Sequence, residues 1–240
     1  MKFNVNNPAF LQSASNIGGA GEYISFVDST GNPQIYQLSA IGDVTIQSIY
    51  NGDPISQTVT NPTDASIRIQ SDANTEVVLF GKITKLYCQP APIGYTHLTS
   101  IDVSHAKSLT YLNCSTNQLT SLDVSANTAL TDLYCYSNQL TSLDVSANTA
   151  LTYLNCSTNQ LTSLDVSANT ALTGLDCSNN QTLLTIDGIG VNESVADSIA
   201  SAITDASSVD GTATLRQGDE FNQTIIDAAM EKGWDVQYYQ

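Results

Sequence analysis

The sequence predicts a mainly β protein with a solenoid in the middle of the chain, an N-terminal β-rich segment before it and a small C-terminal α/β cap after it. The first observation is a 21-residue unit, LTYLNCSTNQLTSLDVSANTA, which fills residues 109–129, recurs unchanged at 151–171 and has a close variant at 130–150. A fixed period near 20 residues indicates a solenoid whose coils contact only their neighbours. The second observation is that apolar and polar residues alternate within each unit, which favours strands.

The chain divides into three predicted regions. Residues 1–65 form an N-terminal arm and a β-hairpin attachment region, residues 66–190 form the solenoid with its capping strands, and residues 191–240 form the cap. Within the first region, EYISFVD and QIYQLSAI flank STGNP and suggest a hairpin, and VTIQSIY suggests another strand. The polar, nearly uncharged arm before them either stays disordered or becomes ordered when it docks on an assembly.

Two strands, at Ser66–Gln70 and Glu76–Gly81, are expected to cap the open edge of the solenoid. The first repeat that follows is irregular. Residues 83–88 match the first half of the unit and residues 98–104 match the second half, so the intervening QPAPIGYTH should form a loop.

Each unit consists of two similar halves that both read LxxLx(C/V)SxN. In the unit that begins at Leu109, the alternation predicts two sets of side chains. The inward set is Leu109, Leu112, Cys114, Leu119, Leu122 and Val124, and the outward set is Tyr111, Asn113, Ser115, Ser121, Asp123 and Ser125. Asn117 and Asn127 follow the two strands, where an amide satisfies turn backbone groups, and stacked copies should form an asparagine ladder.

All five cysteines occupy one position of the repeat, namely Cys88, Cys114, Cys135, Cys156 and Cys177. Their number is odd and no CxxC motif occurs. A linear column does not provide the clustered tetrahedral ligands of a zinc site. The sequence therefore predicts a column of buried, reduced thiols.

The C-terminal region changes its period. Val195, Ile199, Ala202 and Ile203 lie on one helical face after a candidate N-cap at Asn192. A strand at Thr212–Arg216 and a second helix with Phe221, Ile225, Ala228 and Ala229 follow, and Trp234, Val236 and Tyr238 alternate as a last strand.

The pattern LxxLxCxxNxLxxLxVSxN, from about Ile83 to Asp187, resembles leucine-rich repeats of a short class with a nested half-repeat. Such arrays are familiar from gut anaerobes and their tailed phages, and the C-terminal region is similar to segments attached to these repeats in phage-like proteins. The resemblance implies a curved parallel solenoid used for binding or structural display. It implies no catalytic residues.

The two outward faces of the solenoid differ. The second-half face repeats Ser-Leu-Asp-Val-Ser, whereas the first-half face varies and is rich in tyrosine, a composition typical of adaptable binding surfaces. The candidate binding residues are Tyr87, Tyr111, Asn113, Asp132, Tyr134, Tyr136, Tyr153 and Asn155. The alternative interpretation is that tyrosines simply suit strands and shield the sheet.

Charge and motifs exclude several functions. A formal charge of -16 repels nucleic acid and anionic membranes, and no apolar stretch is long enough for a membrane span. The column Asp102, Asp123, Asp144 and Asp165 lacks any calcium-loop pattern, so a solvated column bonded to adjacent serines is expected. No metal site, cofactor or catalytic set is predicted, since no catalytic motif accompanies His97 and His105.

The charge-poor N-terminal arm, the lack of an apparent signal peptide and the resemblance of the repeats and the C-terminal region to phage-borne sequences together favour a non-enzymatic structural and recognition protein on a virion surface, as a capsid decoration or head fibre. Its N-terminal region would attach to a larger assembly such as the capsid, and its solenoid face would bind a protein or glycan; homo-oligomers are compatible with this. The alternative is a bacterial cell-surface or secreted adhesin, although no signal peptide is apparent. A hydrolase, the third class, requires His97 or His105 in a pocket beside a nucleophile.

Overall fold

The computed structural model describes residues 21–29, 34–69, 71–88, 97–177, 179–180, 185–188, 214–217 and 235–238. These parts of the chain form strands joined by turns, and none of their residues is helical. They accordingly contain no helix with the length and apolar character needed to cross a membrane. The repeated units stack as coils of a β-solenoid, which confirms the predicted mainly β fold.

Six strands build the N-terminal sheet and the first coil. They are β1 (Tyr23–Asp28), β2 (Gln34–Tyr50), β3 (Asp53–Val59), β4 (Ala65–Arg68), β5 (Thr75–Tyr87) and β6 (Leu98–Asp102). β5 pairs antiparallel with β1 on one side and with β2 on the other. The predicted hairpin between EYISFVD and QIYQLSAI is therefore wrong, because β5 lies between the two segments.

The hairpin that does form joins β2 to β3 through Asn51 and Gly52, with Tyr50 opposite Asp53. Both turn residues have positive φ, 53° and 81°. Asn-Gly suits such a two-residue turn, and the sequence IYNGDP carried this signal. The carboxylate of Asp72 accepts the N–H of Asn51 at 2.8 Å and that of Gly52 at 2.9 Å, which holds the turn.

The first-half face of the solenoid is one side of a parallel sheet. Its strands are the end of β5, then β7 (Tyr111–Asn113), β8 (Asp132–Tyr134), β9 (Tyr153–Asn155) and β11 (Gly174–Asp176). β2 covers the outer edge of β5, where Leu38 pairs with Leu86. β4 is a strand as predicted but pairs with β2, so the expectation that Ser66–Gln70 caps the solenoid is wrong. β2 lies before residue 65 and β5 lies after it, so this sheet continues across the predicted boundary between the first two regions.

The second-half side is less regular than predicted. β6 pairs with β1, and β10 (Ser163–Asp165) pairs with β12 (Thr185–Gly188). The equivalent segments 121–123 and 142–144 are not strands, so the expectation of a strand in every half is wrong. In these coils the Asp side chain accepts the N–H of the serine two residues later, as it also does beside the strands β6 and β10.

The C-terminal strands extend this second-half side. β13 (Thr214–Gln217) and β14 (Asp235–Tyr238) confirm the two strands predicted there. They pair in parallel with β12, so that Leu164, Ile186, Leu215 and Val236 follow one another in register. The predicted helices at 192–203 and 221–229 and most of the predicted loop after Cys88 lie outside the described residues.

The core is a set of leucine, valine and cysteine columns that run along the solenoid. All six side chains predicted to point inward in the unit at Leu109 are buried. The five cysteines are free and buried, as predicted. Because each coil presents the same side chains at the same height, the core of one coil continues into the next.

Two asparagine ladders confirm the predicted ladder and differ in how they are satisfied. In the first ladder, Asn138 donates to the carbonyls of Cys114 and Cys135, and its Oδ1 accepts the N–H of Leu119 at 3.0 Å. In the second, Asn148 donates to two carbonyls, but its Oδ1 is buried without a hydrogen-bond partner. The amides of the first ladder therefore bond both backbone N–H groups and backbone carbonyls, whereas those of the second ladder bond only backbone carbonyls.

A left-handed backbone position precedes each rung of the first ladder. Thr116, Ser137, Thr158 and Asn179 have φ values of 57°, 52°, 54° and 55°. Such values are unfavourable for a β-branched residue and are best tolerated by asparagine or glycine. The turn is held because the ladder amide bonds the carbonyls that precede it, as Asn138 does with Cys135 and Tyr136.

Candidate functional site

The parallel register brings the predicted outward columns of the first-half face together as expected. The first column runs Lys85, Tyr111, Asp132, Tyr153, Gly174, and the second runs Tyr87, Asn113, Tyr134, Asn155, Asp176. The sequence predicted these columns because the 21-residue period places equivalent residues opposite each other.

Three tyrosines form a continuous row across β7, β8 and β9, defined here as the tyrosine row. The ring centroids of Tyr111 and Tyr134 are 5.5 Å apart at an interplanar angle of 39°, and those of Tyr134 and Tyr153 are 5.0 Å apart at 28°. Tyrosines in alternate columns of adjacent strands meet diagonally, which places them in contact. All three rings remain partly exposed.

Gly174 ends the row by letting the ring of Tyr153 lie against its strand. A Cβ at Gly174 would be 2.6 Å from Cδ2 and 2.8 Å from Cε2 of Tyr153, which is closer than real Cβ contacts. Any side chain there would displace the ring. Gly174 is not among the residues predicted for binding, and the sequence signal for its role is a single glycine in a column of otherwise large polar residues.

Asn113 and Ser115 differ from their predicted exposure. Asn113 is only 4% exposed and Ser115 is fully buried, although both were expected outward. The register places Asn113 between Tyr87 and Tyr134, which bear larger side chains, and the Asn113 Oδ1 accepts the N–H of Ser115 at 3.1 Å. Asn155, between Tyr134 and Asp176, is half-buried, as are Tyr87 and Tyr136.

Two tyrosines of the row, Tyr111 and Tyr134, have raised pKa values and so keep their hydroxyls protonated at neutral pH. Burial, together with the charges of Asp132 and Tyr136, raises the pKa of Tyr111. Burial, followed by the neighbouring tyrosines and Asp132, raises the pKa of Tyr134. The carboxylate of Asp132 accepts the hydroxyl of Thr131 at 2.7 Å and lies close enough to influence both rings. The face therefore offers neutral phenols beside a carboxylate.

The second-half face carries the exposed aspartate column with the predicted serine partners. Asp102, Asp123, Asp144 and Asp165 each accept the N–H of the serine two residues later, at 2.8–2.9 Å. Hydrogen bonds from Ser125 lower the pKa of Asp123, and those from Ser146 lower the pKa of Asp144. In the described part of the chain, no three His, Cys, Asp or Glu residues form a metal-binding group.

The two histidines lie where the first coil meets β1. The exposed ring of His105 stacks on Tyr23 with centroids 4.2 Å apart, and its Nδ1 is 3.0 Å from the hydroxyl of Ser104. Its Nε2 faces the Tyr23 hydroxyl at 3.4 Å, not a carboxylate that would orient it as a base. His97 donates its backbone N–H to Asp28. The arrangement joins β1 to the first coil.

The repeat and its stacking define a leucine-rich-repeat-like β-solenoid. No protein-family model and no curated protein matches the chain. Solved structures similar to it include the functional domain of InlJ from Listeria monocytogenes, described as including a cysteine ladder, at 26% identity and a TM-score of 0.23, covering 57% of this chain and 47% of that one. Another is an internalin, InlF, from Listeria monocytogenes, at 23% identity and a TM-score of 0.34, covering 65% of this chain and 46% of that one. This chain spans about half the length of each.

Proposed function

We propose that this protein is a non-enzymatic recognition protein that binds a protein or glycan ligand through the first-half face. The observation that carries the proposal is the tyrosine row, which stands partly exposed on a regular framework of coils. Tyrosine supplies a large contact area and a hydrogen-bonding hydroxyl at low entropic cost. The strands beneath it fix the spacing of the rings, so little ordering is needed on binding.

The proposal predicts that replacing Tyr111, Tyr134 and Tyr153 together with serine abolishes ligand binding. We expect at least a tenfold loss of signal on protein and glycan arrays, because ring contact area is removed while the inward core residues are untouched. The matched control replaces Asp123, Asp144 and Asp165 with serine on the other face. It should keep the array signal, and circular dichroism should show both variants folded. If the tyrosine variant still binds the array ligands of the natural chain, the proposal is wrong.

We further propose that residues 1–65 attach the protein to a larger assembly, with a phage particle as the leading setting. Residues 1–60 hold only five charged residues, and a charge-poor polar segment suits close docking on a shell. Many copies on a symmetric surface would strengthen a weak tyrosine row by avidity. The alternative setting is a bacterial surface or secreted adhesin.

Mass spectrometry of purified phage particles and of bacterial surface fractions tests the setting. The phage proposal expects the chain in particles at a fixed ratio to the major capsid component, and retained after high-salt washing. Detection only in envelope or secreted fractions supports the adhesin instead.

A further inference from the structure

The charged residues of the coils are almost all negative. Residues 97–180 hold six aspartates, at 102, 123, 132, 144, 165 and 176, against the single lysine Lys107. Four of these aspartates lie in the second-half column, and Asp132 and Asp176 lie on the first-half face. The strands β7, β8, β9 and β11 contain no lysine or arginine. A face of this kind repels anions and attracts cations.

The strands on either side of Tyr153, the last tyrosine of the row, each carry one of the two aspartates of the first-half face. Asp132 pairs in register with Tyr153, one strand away. On the other side the ring of Tyr153 lies against Gly174, two residues before Asp176 on β11. Strands in a sheet are about 4.8 Å apart, so a group above Tyr153 has a carboxylate-bearing strand on each side.

The one cation of the first column lies at its N-terminal end and already has a partner. Nζ of Lys85 is 3.9 Å from Oδ1 of Asp64, with both side chains about half exposed. It therefore does not neutralise Asp132 or Asp176, which are on later coils.

From this arrangement, and resting on the proposed recognition function, we infer that the first-half face binds an extended cationic peptide segment that carries arginine or lysine. A guanidinium or ammonium over Tyr153 gains a cation–π contact, and the carboxylates on either side add ion pairs. Arginine fits best, because its planar group both stacks on a ring and bonds a carboxylate through two N–H groups.

The test uses a fluorescently labelled dodecapeptide of alternating arginine and glycine. Its neutral counterpart replaces every arginine with citrulline, which keeps the shape and removes the charge. Fluorescence anisotropy should show the arginine peptide binding at least about tenfold more tightly than the citrulline peptide, and more weakly as salt rises. A labelled neutral oligosaccharide, maltoheptaose, represents the competing glycan class.

Two double variants distinguish a local binding site from attraction by the overall negative charge of the protein. D132N/D176N and D123N/D144N each remove two negative charges from the coils, on opposite faces. We expect the first to weaken the arginine peptide about tenfold and the second less than about twofold. Equal weakening by both variants overturns the inference, because it shows attraction by net charge alone.

The remaining outcomes distinguish this inference from the proposed function. If citrulline peptide or maltoheptaose binds as well as the arginine peptide, and the tyrosine variant loses that binding, the face recognises ligands but the cationic class is wrong. If arginine-peptide binding survives the loss of Tyr111, Tyr134 and Tyr153, the proposed face itself fails. If both D132N/D176N and the tyrosine variant lose arginine-peptide binding, the proposed function and the cationic-peptide inference are both supported.

Discussion

Asn138→Ala is expected to lower the free energy of unfolding by about 4 kcal/mol. The Asn138 Oδ1 accepts the N–H of Leu119, and the two hydrogens of its amide nitrogen are shared among the carbonyls of Cys114, Cys135 and Tyr136. The carbonyls of Cys114 and Cys135 keep a second amide donor, from Asn117 and Asn159. The buried N–H of Leu119 keeps no such side-chain acceptor, and an unsatisfied buried donor costs about 1–3 kcal/mol by itself.

Asn148→Ala in the second ladder is the matched control, with an expected loss of about 2 kcal/mol. Its two acceptors, the carbonyls of Val124 and Asn127, also accept backbone N–H groups from Asn127 and Leu130. The substitution therefore creates no unsatisfied carbonyl, and it removes an unpartnered Oδ1. Urea unfolding followed by circular dichroism measures both variants. Equal losses for the two variants would show that the hydrogen bond from the Leu119 N–H to Asn138 adds no stability beyond that of a buried amide side chain.

Stability is expected to collapse between about pH 9 and pH 12 because of the cysteine column. Burial raises the pKa of Cys114 and Cys177 to about 12 and raises the pKa of Cys88, Cys135 and Cys156 well above the ordinary value. Above pH 9 the thiols of the unfolded chain lose protons while those of the folded chain keep them. The unfolded state is therefore favoured as pH rises, and the stabilisation is fully present only below the unfolded pKa.

Each cysteine contributes a slope of about 1.4 kcal/mol per pH unit, so five give on the order of 7 kcal/mol per pH unit. Since a domain has about 5–15 kcal/mol of stability, unfolding before pH 11 is expected. The measurement is urea unfolding from pH 7 to pH 10 with a reductant present. Tyrosines with raised pKa values add to the same trend, so variants are needed to isolate the thiols.

Cys135→Ala should reduce the slope by about 1.4 kcal/mol per pH unit relative to the natural chain. Leu133→Ala, two residues earlier in the same coil, is the control, because it also truncates a buried side chain but removes no titrating group. It should lower stability at every pH and leave the slope unchanged. An unchanged slope in Cys135→Ala would mean that the thiols do not control the alkaline transition.

Much of the solenoid followed from the repeat, and most of what surrounds it did not. The period of 21 placed Tyr111, Asp132 and Tyr153 in one column, because identical coils can stack only in register. It did not show that Asn113 would be buried, since burial depends on side chains that differ between neighbouring coils. Nor did it place β5 between β1 and β2, because the pairing of distant strands has no local signal.

The sequence by itself determined the coil, its inward leucines, its reduced cysteine column and its asparagine ladders, because each of these repeats with the chain and needs only the adjacent coil. The tertiary structure alone decided the contacts between different side chains. It brought the tyrosines into one row, laid Tyr153 against Gly174 and left the Asn148 Oδ1 without a partner. It also forced Thr158 into the left-handed region, where its own preference would not place it, because the ladder amide of Asn159 holds the carbonyls of Cys156 and Ser157 around that turn.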